Sequence, residues 1–157
     1  RTLRRLGTSD VERVFAVTTD FSLEHMEAED TSVITVRFAA GAMGNVVMSW
    51  ATPHPTHETN VQKNFSVHGT EGSIISPGDQ TLRVWSENLE GGTLKDAEIK
   101  MDLPKIDTFD AECKHFVQCI KPRQAPEISG IQGRKDLEVV EAAYLSVKRG
   151  EAIKLPL

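Results

Sequence analysis

Aromatic residues are scarce in this 157-residue chain, at 6%, with one tyrosine and two tryptophans. Cysteine is equally sparse: Cys113 and Cys119 are the only two. They stand six positions apart in a helical pattern, a turn of roughly 600° that sends them to well-separated faces. They therefore cannot bridge each other. A domain of this length buries roughly 68–70% of its unfolded surface, so it needs no disulfide, and both residues are expected as reduced thiols of a cytoplasmic protein. No apolar run approaches the ~20 residues that span a bilayer. Basic residues are in deficit, 18 against 23 acidic ones for a net charge of −5. Without a basic patch or a block of like charge, nucleic acid and anionic membrane are excluded as partners.

Complete catalytic centres are lacking too. No glycine-rich loop joins a strand to a helix, so a dinucleotide has no visible cradle. Gly41-Ala42-Met43-Gly44 has the glycine spacing but leads into a strand, and a hairpin turn explains it. His54 and His57 flank Pro55, and two imidazoles without a third ligand make no zinc site. Cys113 falls on an apolar helical stripe, where a buried thiol is a poor nucleophile. Asp107 and Asp110 suit the positive end of a helix better than acid–base chemistry. His68, at a strand end, is read as a local hydrogen-bonding group, and His115 as solvent-facing. No catalytic, cofactor-binding or metal-binding residue is assigned.

What is present is a run of strands followed by helices. Alternation marks strands at Val11 to Phe21, Thr31 to Phe38 and Ala42 to Ala51. In the first, Phe15, Val17 and Thr19 point one way and Val14, Ala16 and Thr18 the other. In the second, Ile34, Val36 and Phe38 oppose Val33, Thr35 and Arg37. Further strands follow at Val61 to His68, Ser73 to Ser76, Thr81 to Ser86 and Ala97 to Met101. Phe109, Cys113, Phe116, Val117 and Ile120 then mark one face of a helix over Asp107 to Lys121. Ser129 caps a second helix that runs to Arg149, with Leu137, Val140, Tyr144 and Val147 as its stripe and Gly150 as its stop. Ala152 to Leu155 is a last short strand. Strands first and helices last predict an α+β fold, a mostly antiparallel open-faced sheet with two C-terminal helices packed on one face.

Two readings fit the second sheet face, which carries Val, Thr, Ser and Ala but little charge. It is β-branched filler on a solvated surface, or another subunit covers it through a two-fold contact; the shortage of charge favours the second. Near the start, Arg1-Thr2-Leu3-Arg4-Arg5-Leu6-Gly7 reads as a helix end without its beginning, so the chain is expected to start inside a longer protein.

Three stretches carry a family resemblance: Glu29-Asp30-Thr31-Ser32; Val36-Arg37-Phe38-Ala39-Ala40-Gly41-Ala42-Met43-Gly44; and Val67-His68-Gly69-Thr70-Glu71-Gly72-Ser73-Ile74. With Glu112 to Ile120, Gly133 to Leu137, and Ala142-Ala143-Tyr144-Leu145-Ser146 to Leu157, they resemble, in order and over nearly the whole chain, the C-terminal domain of the Gfo/Idh/MocA oxidoreductases. The resemblance implies a dihydrodipicolinate reductase-like open-faced sheet whose free face meets another subunit. It also implies an N-terminal Rossmann domain, absent here, that holds NAD or NADP and supplies the catalytic lysine. Residues 1–157 are then one substrate-binding and oligomerisation domain of an enzyme acting on a sugar, polyol or related hydroxy compound. Trp50, which can stack on a sugar, and His54 and His57, which can bond its hydroxyls, are the candidate substrate-binding residues. The expected partners are a second copy of the chain, the missing Rossmann domain and a small-molecule substrate. The rival readings are a non-catalytic dimerisation or binding module and an NAD-dependent glycoside hydrolase relative.

Overall fold

The structure, a computed structural model, describes residues 9–20, 27–51, 64–76, 81–86, 106–120 and 122–157. The expected helix end before Gly7, the turn at 77–80, the strand at 97–101 and the loop carrying His54 and His57 lie outside these residues. Strands β1 (Val11–Thr19), β2 (Thr31–Phe38) and β3 (Met43–Ser49) come first, then β4 (Phe65–Gly69), β5 (Gly72–Ser76) and β6 (Arg83–Ser86). Helices α1 (Thr108–Ile120) and α2 (Gly130–Arg149) follow, and β7 (Ile153–Lys154) ends the order. The fold is therefore α+β, as the order of patterns predicts. The strands make two antiparallel sheets, β3-β2-β1-β7 and β4-β5-β6. They belong to two compact units, residues 1–54 with 116–157, and residues 55–115.

The four-stranded sheet has the predicted faces. Val14 stands opposite Val36, and Ala16 opposite Ile34. These residues, with Val11 and Phe38, form the buried side. Phe15, Val17, Val33 and Val47 are exposed on the other side. The β2–β3 turn needs a residue at positive φ, and Gly41 supplies it at 92°. The Gly41 N–H donates to the Phe38 carbonyl at 2.9 Å, and the Phe38 N–H donates to the Ala42 carbonyl at 2.9 Å.

Helix α2 covers the buried side, with Val139, Ala142, Ala143, Leu145 and Ser146 against the core. Its ends are formed as the sequence predicts. Ser129 Oγ accepts the Gln132 N–H at 3.3 Å, and Gly150, in the left-handed region at φ 67°, donates to the Ser146 carbonyl at 2.8 Å. Lys148 and Arg149 sit in the last turn, at the negative end of the dipole. Strand β7 pairs with β1 only at Arg13 and Val14. Farther along β1, the Ala16 N–H donates to the fully buried Ser146 Oγ at 3.0 Å, and that hydroxyl donates to the Glu151 carbonyl at 2.6 Å. A helix side chain thus takes over where the short edge strand stops.

The helix stripes differ from expectation. Leu137, Val140, Tyr144 and Val147 are exposed, roughly 130° around α2 from the packed face. Small residues took the sheet side because Ala142, Ala143 and Ser146 let the helix backbone approach closely, and the bulkier set was displaced outward. On α1, Phe109, Phe116, Val117 and Ile120 are exposed, and Cys119, on the flank of that stripe, is the buried residue. Cys113, expected to be buried, is exposed, and neither cysteine is in a disulfide. Asp107 caps α1 through Oδ1, which accepts the N–H groups of Phe109 (3.0 Å) and Asp110 (3.2 Å).

In the second unit, β4 and β5 pair from Phe65–Ser76 to Gly69–Gly72. His68 makes the expected local bond, Nδ1 to Ser73 Oγ at 2.9 Å, across the pair. Gly72 lies against β6, where a Cβ would clash with the Trp85 carbonyl oxygen. No helix among the described residues is long and apolar enough to cross a membrane.

Candidate functional site at the end of the four-stranded sheet

Three strand ends meet where β1 stops, β2 starts and β3 stops. The register places Thr19, Thr31 and Ser49 in one lateral row. Thr31 Oγ1 and Ser49 Oγ share a hydrogen bond at 2.9 Å, and Ser49 Oγ also accepts the Ala51 N–H at 3.2 Å. One residue beyond the ladder, the Asp30 N–H donates to the Thr19 carbonyl at 3.1 Å. The Asp30 carbonyl in turn accepts the Trp50 N–H at 2.8 Å. The Asp30 side chain is buried, whereas Trp50 is 71% exposed. Beside them Tyr144 Oη, on α2, donates to Glu29 Oε1 at 2.8 Å. That hydrogen bond, reinforced by the Glu29 charge, holds the Tyr144 hydroxyl above its ordinary pKa.

Trp50 is thus at the strand end where the sequence puts it, and its side chain is exposed. His54 and His57 belong to the loop that follows and lie outside the described residues. The structure adds contacts that residue-by-residue reading missed: the Thr31–Ser49 hydroxyl pair on the outer sheet face, the buried Asp30 and the Tyr144–Glu29 bond. The stretch Glu29-Asp30-Thr31-Ser32 was visible as a family signature but carried no role. Tyr144 read as one more stripe residue. An exposed indole offers an apolar face of the kind that stacks on the C–H face of a polyhydroxylated compound.

A nicotinamide dinucleotide does not fit the described residues. Pyrophosphate binding uses the open N–H groups of a helix that follows a parallel strand. Here both sheets are antiparallel, and Asp107 and Ser129 take up helix N-terminal donors with their own side chains. No group of three or more metal-ligating side chains occurs among the described residues.

Comparison with known proteins places this architecture. D-apiose dehydrogenase from Paraburkholderia graminis is 25% identical over 161 residues, covering 98% of this chain and 42% of that protein. Myo-inositol 2-dehydrogenase from Thermotoga maritima is 26% identical over 156 residues, covering 97% of this chain and 45% of its own length. Among solved structures, the WlbA dehydrogenase from Bordetella pertussis in complex with NADH and UDP-GlcNAcA superposes with a TM-score of 0.65 at 25% identity. That match covers 94% of this chain and 40% of the other. The chain therefore spans less than half the length of these relatives. Residues 6–155 match the family described as "Oxidoreductase family, C-terminal alpha/beta domain", and the chain belongs to it: it is a C-terminal domain of the Gfo/Idh/MocA oxidoreductases.

Proposed function

We propose that this domain is the substrate-side half of an NAD(P)-dependent oxidoreductase that oxidises a hydroxyl of a sugar, polyol or related hydroxy compound. The observation that carries the reading is the family match over residues 6–155, joined to curated relatives that are dehydrogenases of D-apiose and myo-inositol. The strand-end geometry supports it. Trp50 offers a stacking face, and His54 and His57, which follow it in sequence, are the proposed hydrogen-bonding groups for hydroxyls. The nucleotide, NAD or NADP, is held by an N-terminal Rossmann domain outside this chain, and a second copy of the chain covers the exposed sheet face. The enzyme is proposed to work in the cytoplasm, in keeping with two cysteines that form no disulfide.

The full-length enzyme tests this directly. Reduction of NAD or NADP is expected with a member of a sugar and polyol panel that includes D-apiose and myo-inositol. Trp50→Ala is expected to raise KM about tenfold, the loss of a stacking contact of about 1 kcal/mol or more. Calorimetry on the 157-residue chain alone is expected to show no NAD binding. Failure of every sugar and polyol to reduce either nucleotide, or micromolar NAD binding by the isolated chain, contradicts the proposal.

A further inference from the structure

We infer that Tyr144 is a positioning residue for Trp50: its hydroxyl clamps Glu29, and the adjoining Asp30 carbonyl holds the Trp50 backbone. The path is short and continuous. Tyr144 Oη donates to Glu29 Oε1 at 2.8 Å, and the Asp30 carbonyl accepts the Trp50 N–H at 2.8 Å. The Asp30–Trp50 bond lies one residue past Thr31–Ser49, the last paired rung of β2 and β3. A terminal rung frays unless something outside the ladder holds it. Glu29 comes directly before that rung, and its tether reaches across 115 residues to a helix. The helix is itself fixed to the sheet by the Ser146–Ala16 bond. Tyr144 can reach Glu29 because it lies off the packed face, where Ala142, Ala143 and Ser146 sit. This accounts for a polar contact from a position that reads as part of an apolar stripe.

The inference gains its functional meaning from the reading of Trp50 as a substrate-facing residue, and the test separates the two. Hydrogen exchange is followed amide by amide in the 157-residue chain. Tyr144→Phe and Glu29→Ala are each expected to speed exchange at the Trp50 amide about fivefold, the loss of one modest hydrogen bond. The double variant is expected to be no faster than either single one, because both remove the same clamp. Glu29→Gln keeps an acceptor oxygen and is expected to retain wild-type exchange. Amides in the core, such as Val14 and Val36, are expected to keep their protection in all four. Unchanged exchange at Trp50 in both Tyr144→Phe and Glu29→Ala overturns the inference. So does acceleration at Val14 and Val36 in step with Trp50, which marks general loosening. In the full-length enzyme, Tyr144→Phe is expected to raise KM with kcat little changed. Faster Trp50 exchange with an unaltered KM upholds the clamp and removes Trp50 from the substrate site.

Discussion

Ser146 makes two hydrogen bonds from one hydroxyl, accepting from the Ala16 N–H in the core and donating to the Glu151 carbonyl in a half-buried bond. Alanine fits the space, yet it leaves a buried strand N–H with no acceptor. The cost of such a group is about 1–3 kcal/mol. Urea unfolding of Ser146→Ala is expected to show a lower midpoint at unchanged slope, and an unshifted midpoint contradicts the assignment. Tyr144 offers a different readout because it is the only tyrosine in the chain, so tyrosinate absorbance reports on it alone. The hydrogen bond to Glu29 is the main cause of its raised pKa, followed by the Glu29 charge, desolvation and, last, the Glu141 charge. A raised folded-state value means the protonated form is favoured in the fold. Its contribution to stability is therefore fully present below the ordinary pKa of about 10 and is lost as pH rises through the higher folded value. Absorbance titration is expected to give a midpoint above that of an unfolded control, and Glu29→Gln is expected to lower it. A wild-type midpoint at the control value contradicts the Tyr144–Glu29 bond.

Elements that bury one face by strict alternation were legible before any coordinates. Val14 and Ala16, or Val36 and Phe38, stand on one side because a period of two leaves no choice. Helix ends were legible for a local reason: Ser129 and Gly150 act within four residues of themselves. The buried faces of the helices were not. In α2 a small-residue face and a larger apolar stripe compete, and the contact distance to the sheet, which no periodicity carries, decides for Ala142 and Ala143. The same limit applies to the site. Trp50 stood out as an aromatic residue at a strand end, but Tyr144 and Glu29 are joined only by the tertiary fold. These faces make a testable contrast. Phe38→Ala, in the core at 2% exposure, is expected to cost about 3–5 kcal/mol. Val140→Ala, on the outward stripe, is expected to stay within about 0.5 kcal/mol in this chain. Gly72→Ala drives a methyl into the Trp85 carbonyl and is expected to disrupt β5–β6 pairing, with faster amide exchange confined to residues 65–86. Equal costs for Phe38 and Val140 contradict the face assignment.

At the scale of the whole molecule, the outer face of the four-stranded sheet is the surface on which the proposed pairing of two copies rests. Val17, Val33 and Val47 lie in one lateral row by register and are 51%, 37% and 70% exposed. Phe15, 40% exposed, lies in the next row opposite Thr35. Arg13 and Arg37 face each other near one end, and Thr19, Thr31 and Ser49 close the other. The face thus has an apolar middle between an arginine end, where Arg37 lies 4.0 Å from the Glu12 carboxylate, and a hydroxyl end. A two-fold partner laid antiparallel on it sets valine row on valine row and brings each arginine pair over hydroxyl and carbonyl acceptors. A parallel arrangement sets four arginines together, which repel. We therefore expect a dimer of the antiparallel kind, held by burial of this face. Light scattering of the chain is expected to give twice the monomer mass at micromolar concentration. Val47→Lys puts a charge in the middle of the contact without touching the core, since Val47 is largely exposed. It is expected to yield a monomer with an unchanged circular dichroism spectrum. Wild-type chain that stays monomeric at high concentration, or a Val47→Lys variant that still dimerises, shows that this face is not the one that pairs.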